Sequence, residues 1–155
     1  MTKLNIKNRK GQNIVVQVEK ARTPRGLAFI MHGLSGNKEQ PHIVLFAETF
    51  KQKGYTVILF DTTNTFGESD GKYEDATITN YYQDLEDVIS WAKSQSWYQE
   101  PFCLVGHSLG GFCTAFYAEN NSQEVKALAP ISTVVRGGLS LKNKPRELVK
   151  DWERT

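Results

Sequence analysis

An α/β fold with a mostly parallel sheet and an antiparallel hairpin at its start is predicted by three features of the sequence. Short continuous apolar runs at Leu27–Met31, Tyr55–Phe60 and Phe102–Val105 have the length of strands buried on both faces. Segments with apolar residues at helical spacing alternate with them. The first residues instead alternate polar and apolar, the pattern of a half-exposed strand. With 155 residues the chain has the size of one domain.

Taken in order, Leu4–Lys7 and Ile14–Glu19 are period-2 strands around Arg9-Lys10-Gly11-Gln12, a hairpin signal. Leu27–Met31 is the first buried strand and ends in His32-Gly33. Pro41 suits a first helical turn and Gly54 a helix stop. Between them Ile43, Phe46, Ala47 and Phe50 share one helical face. His42, at the start of that helix, is expected to be exposed. Tyr55–Phe60 is the second buried strand, and a loop rich in Thr, Asn, Gly and Asp follows from Asp61 to Lys72. Ile78, Tyr81, Tyr82, Leu85, Val88, Ile89 and Ala92 trace a long amphipathic helix. Phe102–Val105 is a third buried strand, Ser108–Glu119 a helix rich in small residues, and Val125–Ile131 a fourth strand. Strands alternating with helices give βαβ units and a parallel sheet.

Composition narrows the function. The net charge of +2 is too small a bias for a nucleic-acid binder. No run approaches the roughly 18 apolar residues of a membrane span, and the first residues lack the apolar core of a signal peptide, so the expected location is the cytoplasm. Cys103 and Cys113 lie in apolar segments without metal-ligand company and are expected to be reduced, buried thiols. No metal or cofactor is expected. Residues 1–135 read as the folded core and 136–155 as a basic tail, in which Arg136, Lys142, Lys144, Arg146, Lys150 and Arg154 face only Glu147, Asp151 and Glu153. Within the tail Pro145 starts a short helix with Leu148, Val149 and Trp152 on one face.

One motif carries chemistry. Gly106-His107-Ser108-Leu109-Gly110 fits G-x-S-x-G and lies directly between a buried strand and a helix. Such a turn lifts a serine hydroxyl above the sheet, while the flanking glycines let strand and helix approach closely. The helix aims its N-terminal N–H groups at any anion formed there. Gly111 adds another small residue where the helix packs. After the earlier strand, His32-Gly33-Leu34-Ser35-Gly36 stands where a second backbone donor belongs, so Leu34 and Leu109 would offer two N–H groups to a tetrahedral intermediate. His32 is expected to hold its loop through hydrogen bonds, with a general-base role as the alternative. His107 is expected to pack beside the turn.

The order His32-Gly33, then Asp61 through Phe66-Gly67-Glu68-Ser69-Asp70-Gly71, then Gly106-His107-Ser108-Leu109-Gly110-Gly111 resembles the α/β-hydrolase family. Within it the chain is similar to bacterial feruloyl/cinnamoyl-type esterases and related lipase-like or S33-peptidase-like hydrolases. The similarity covers essentially residues 14 to 136. Relatives usually read D-x-x-G-x-G-x-S in the middle loop. This loop is one residue longer and lacks the first glycine and the basic residue often found there. The resemblance implies Ser108 as nucleophile, backbone donors at Leu34 and Leu109, supporting roles for His32, Gly33, Gly106, His107 and Gly110, and a small-molecule carboxylic ester as substrate.

The family places its triad acid and base after the serine. No histidine follows Ser108, since the three histidines are His32, His42 and His107. Glu119, Glu124, Glu147, Asp151 and Glu153 follow it, none at a predicted strand end. Three readings stay open: the N-terminal part of a serine hydrolase truncated after about the sixth strand, an inactive hydrolase fold used for binding or assembly, or an enzyme whose base is His32 or comes from a partner subunit. In the first, the strand at Val125–Ile131 is an apolar edge that a second copy of the chain is expected to cover.

Overall fold

The structure is a computed structural model that describes residues 2–135. The expected basic tail, with the short helix expected from Pro145, lies outside the described residues. Six strands form one sheet: β1 (Thr2–Lys7), β2 (Asn13–Glu19), β3 (Leu27–Met31), β4 (Thr56–Phe60), β5 (Phe102–His107) and β6 (Val125–Ile131). Three helices connect them: α1 (Pro41–Gln52), α2 (Ile78–Lys93) and α3 (Leu109–Asn120). The strand order is β1-β2-β4-β3-β5-β6. β1 pairs antiparallel with β2, and β2 antiparallel with β4; the β3–β4, β3–β5 and β5–β6 pairs are parallel. The expected mostly parallel sheet with an N-terminal hairpin is what forms.

Alternation along the strands divides the core between the two sheet faces. Leu27, Phe29 and Met31 of β3 face α2 and α3, packing with Phe60, Tyr81, Leu85 and Leu104. Ile30, with Val57, Leu59 and Val105, faces Ile43 and Ala47 of α1. β3 is buried along its whole length because it has helices on both sides. Thr77 caps α2: its hydroxyl accepts from the Asn80 amide at 3.1 Å, and Asn80 Oδ1 accepts from the Thr77 amide at 2.8 Å. Ile78, expected on the buried face, is 57% exposed because it occupies the first turn, beyond the edge of the core.

β6 departs from the buried pattern of the other parallel strands. Among the described residues only β5 flanks it, and Leu128 is 38% exposed. Its apolar sequence is therefore at a sheet edge. Cys103 and Cys113 are both buried free thiols, as expected.

Candidate active site

The sheet brings the two sequence motifs side by side. β3 and β5 are parallel neighbours, with Met31 opposite Gly106, so their C-terminal ends release His32-Gly33 and His107-Ser108 at one level. Ser108 stands between β5 and α3 with φ 53° and ψ −116°. Positive φ is uncommon outside glycine and costs about 1–3 kcal/mol, so the surroundings must hold it there. They do so at both ends. The Ser108 amide donates to the Ile131 carbonyl of β6 at 2.9 Å, and its carbonyl accepts from Phe112 at 3.2 Å.

The glycines of the turn are needed for space. A Cβ on Gly106 would run into the Gly110 carbonyl and Thr114, and one on Gly110 into the carbonyls of Met31 and His32. A side chain at Gly33 would have its Cβ 2.9 Å from Ser108 Cβ and 3.4 Å from His107 Nδ1. The β3–α1 loop therefore lies directly against the serine. The helix begins at Leu109, one residue later than the sequence suggests, and its first amides have no acceptor within the helix. Leu34, 39% exposed, donates its amide to no acceptor among the described residues.

His32 is fully buried and both its ring nitrogens are engaged. Nε2 accepts from the Thr62 amide at 3.1 Å, so the proton is on Nδ1, which donates to the Gly33 carbonyl at 2.8 Å. Burial pushes its pKa below the ordinary histidine value, with the bond to Gly33 opposing. It is thus a neutral cross-link between the ends of β3 and β4. His107 turns toward α1, where its ring meets that of His42 at 4.4 Å between centroids. Burial, and then His42, lowers its pKa. His42 is half-buried rather than exposed, and its Nε2 is enclosed without a hydrogen-bond partner.

Two buried polar knots escaped sequence reasoning. Asp61, fully buried after β4, accepts from the Lys38 amide (2.7 Å), from Lys38 Nζ (2.8 Å) and from the Glu68 amide (2.9 Å). Lys38 is 1% exposed, which lysine almost never is unless paired. Asp84 of α2 accepts from Thr63 through its amide at 2.6 Å and its hydroxyl at 2.7 Å, and from Asn8 at 3.1 Å. Burial raises the Asp84 pKa against these bonds. The only sequence signals were a lysine a few residues past His-Gly and an acid interrupting an apolar helix face. Neither distinguishes a buried charge from a solvated one.

Among the described residues no group of three or more His, Cys, Asp or Glu is placed to hold a metal ion, and no helix is long and apolar enough to cross a membrane. The strained serine, the paired glycines and the adjoining His-Gly loop together form a tight strand-to-helix turn at the C-terminal ends of neighbouring parallel strands.

The chain belongs to the alpha/beta hydrolase fold family, whose profile matches residues 29–154. It is 30% identical over 142 residues to the mitochondrial palmitoyl-protein thioesterase ABHD10 of Bos taurus, a match covering 91% of this chain and 44% of that protein. Among solved structures, Est1E from Butyrivibrio proteoclasticus with ferulic acid bound superposes with a TM-score of 0.81 at 26% identity, covering 92% of this chain and 57% of that one. Alpha/beta hydrolase domain-containing protein 10 from mouse gives 0.76 at 26% identity, covering 99% and 59%. This chain therefore spans about half the length of these relatives.

Proposed function

We propose that these residues belong to a serine hydrolase of carboxylic esters in which Ser108 is the nucleophile. The observation that carries this reading is Ser108 itself, held at positive φ between strand and helix. Its hydroxyl attacks the ester carbonyl and gives its proton to a base. The alcohol leaves with a proton, and water then hydrolyses the acyl-enzyme. The Leu34 and Leu109 amides hold the oxyanion, an interaction that strengthens as charge develops on the oxygen. His32, Gly33, Gly106, His107 and Gly110 shape the two turns. No metal or cofactor enters the scheme.

The base and the acid come from polypeptide outside these 155 residues. No histidine follows Ser108, and both His32 nitrogens already hold backbone groups. The relatives' greater length supports this assignment, and the thioesterase name of the bovine relative and the ferulic acid bound to Est1E support an ester as the bond cleaved. A second copy of the chain covers the β6 edge when the 155 residues are on their own, and the location is the cytoplasm.

The test is to read the coding sequence past codon 155, express the longer product and treat it with a fluorophosphonate probe. A frame supplying an acid and a histidine is expected, with labelling at Ser108 that Ser108→Ala abolishes and turnover of short-chain p-nitrophenyl esters. A longer product that neither labels nor turns over would leave an inactive fold used for binding or assembly.

A further inference from the structure

A charge chain runs from the surface into the base of the β3–α1 loop. Lys3 of β1 pairs with Glu68, Glu68 with Lys38 at 2.5 Å, and Lys38 with Asp61 at 2.8 Å. Cation and anion alternate, so each inner charge has an opposite on both sides. Burial alone would lower the Lys38 pKa, but the bonds to Asp61 and Glu68 outweigh it and the ammonium is held more firmly charged. Its inner end is fixed to the sheet, because Asp61 follows Phe60, which pairs with Met31 across β4 and β3.

The loop that Lys38 closes contains the Gly33–Leu34 peptide. The Gly33 carbonyl accepts from His32 Nδ1 at 2.8 Å and from the Gly36 amide at 3.0 Å. A planar trans peptide points its N–H opposite its carbonyl, so these two bonds orient the Leu34 N–H outward. They act on the near half of the loop only. On the far half, Ser35 meets the Tyr73 hydroxyl at an exposed site, and Thr65 donates one bond to the Gly36 carbonyl. Lys38 alone makes two bonds to one buried carboxylate, both charge-assisted, through its amide and its ammonium. A buried ion pair gains little stability over an apolar pair of similar volume. Two directional bonds, however, fix where the loop ends.

We propose that Lys38 is a positioning residue for the Leu34 amide, holding the loop through Asp61 so that this N–H keeps one direction. The proposal rests on the reading of Leu34 as an oxyanion donor, but its test does not require turnover. Nitrogen relaxation on the 155-residue chain is expected to give a Leu34 N–H order parameter near that of rigid backbone, about 0.85. In Lys38→Met it falls below about 0.6, while Phe29 and Val105 in the sheet keep theirs. If that variant does not fold, Lys38→Met with Asp61→Asn removes the abandoned buried charge and takes its place. An unchanged Leu34 value in a folded variant, or an equal fall at Phe29 and Val105, overturns the proposal. Fluorophosphonate labelling of the longer product is scored separately. Failure there, with the Leu34 dependence intact, sinks the nucleophile reading and leaves the positioning role standing.

Discussion

The Thr62 amide donates to His32 Nε2 at 3.1 Å, joining the ends of two neighbouring parallel strands through one neutral imidazole. Protonating that nitrogen would place two donors face to face in a buried site. His32 and His107 both have pKa values lowered from 6.5. A histidine held neutral in the fold takes up its proton more readily when unfolded, so its contribution is complete above about pH 6.5 and is lost as pH falls below it. Glu68, lowered to about 2 by its bonds from Lys3 and Lys38, adds a screened loss between 4.5 and 2. Asp84, raised above 3.8, acts in the opposite sense and returns some stability on acidification. Thermal melts from pH 8 to 5 are expected to fall below pH 6.5, less steeply in His32→Asn. A wild-type melt flat across that range would contradict the neutral cross-link.

Gly110 sits where α3 crosses the end of β3, and any Cβ there meets the Met31 and His32 carbonyls. Backbone cannot swing aside as a long side chain can. Gly110→Ala is expected to cost about 1–3 kcal/mol, and Gly110→Val enough to unfold or aggregate the chain. Denaturant unfolding measures both. Unchanged midpoints would count against the close strand–helix approach.

A thiol in place of the Ser108 hydroxyl would lie at the positive end of α3, partly exposed. Helix N-termini lower thiol pKa values, whereas burial raises that of Cys103 and pushes Cys113 up to about 12. Ser108→Cys is therefore expected to take up one equivalent of iodoacetamide at pH 7, at position 108, at least tenfold faster than either native cysteine. Mass spectrometry locates the adduct. Equal reaction at Cys103 or Cys113 would argue against an accessible, anion-favouring turn.

The β6 edge presents Leu128 at 38% exposure. Among the described residues no strand lies beyond β6, and an apolar strand edge templates association, so the 155-residue chain is expected to dimerise by light scattering and Leu128→Lys to return it to monomer. A monomeric mass in the unaltered chain, without binding of a hydrophobic dye, would defeat this expectation.

Much of the fold could be read from the residues because its causes are local. Leu27–Met31 and Phe102–Val105 are apolar throughout, and only a strand covered on both faces suits such runs at that length. The hairpin, the α2 stripe and the Ser108 turn follow equally from spacing and glycine placement. Lys38 could not be read in this way. A lysine in a polar loop looks solvated until Asp61, from another strand, is known to lie 2.8 Å from its ammonium. His42 misled for the same reason, since the ring that encloses it belongs to His107 on β5.

By itself the sequence determined that this chain builds an α/β sheet and carries one serine on a strand-to-helix turn, because periodicity and glycine spacing act over a few residues. Only the tertiary structure decided which charges are buried and which backbone groups His32 joins. Those properties depend on contacts between segments far apart in the chain, such as Lys38 with Asp61 and His32 with Thr62, and the pairing of strands in the sheet brings such segments together.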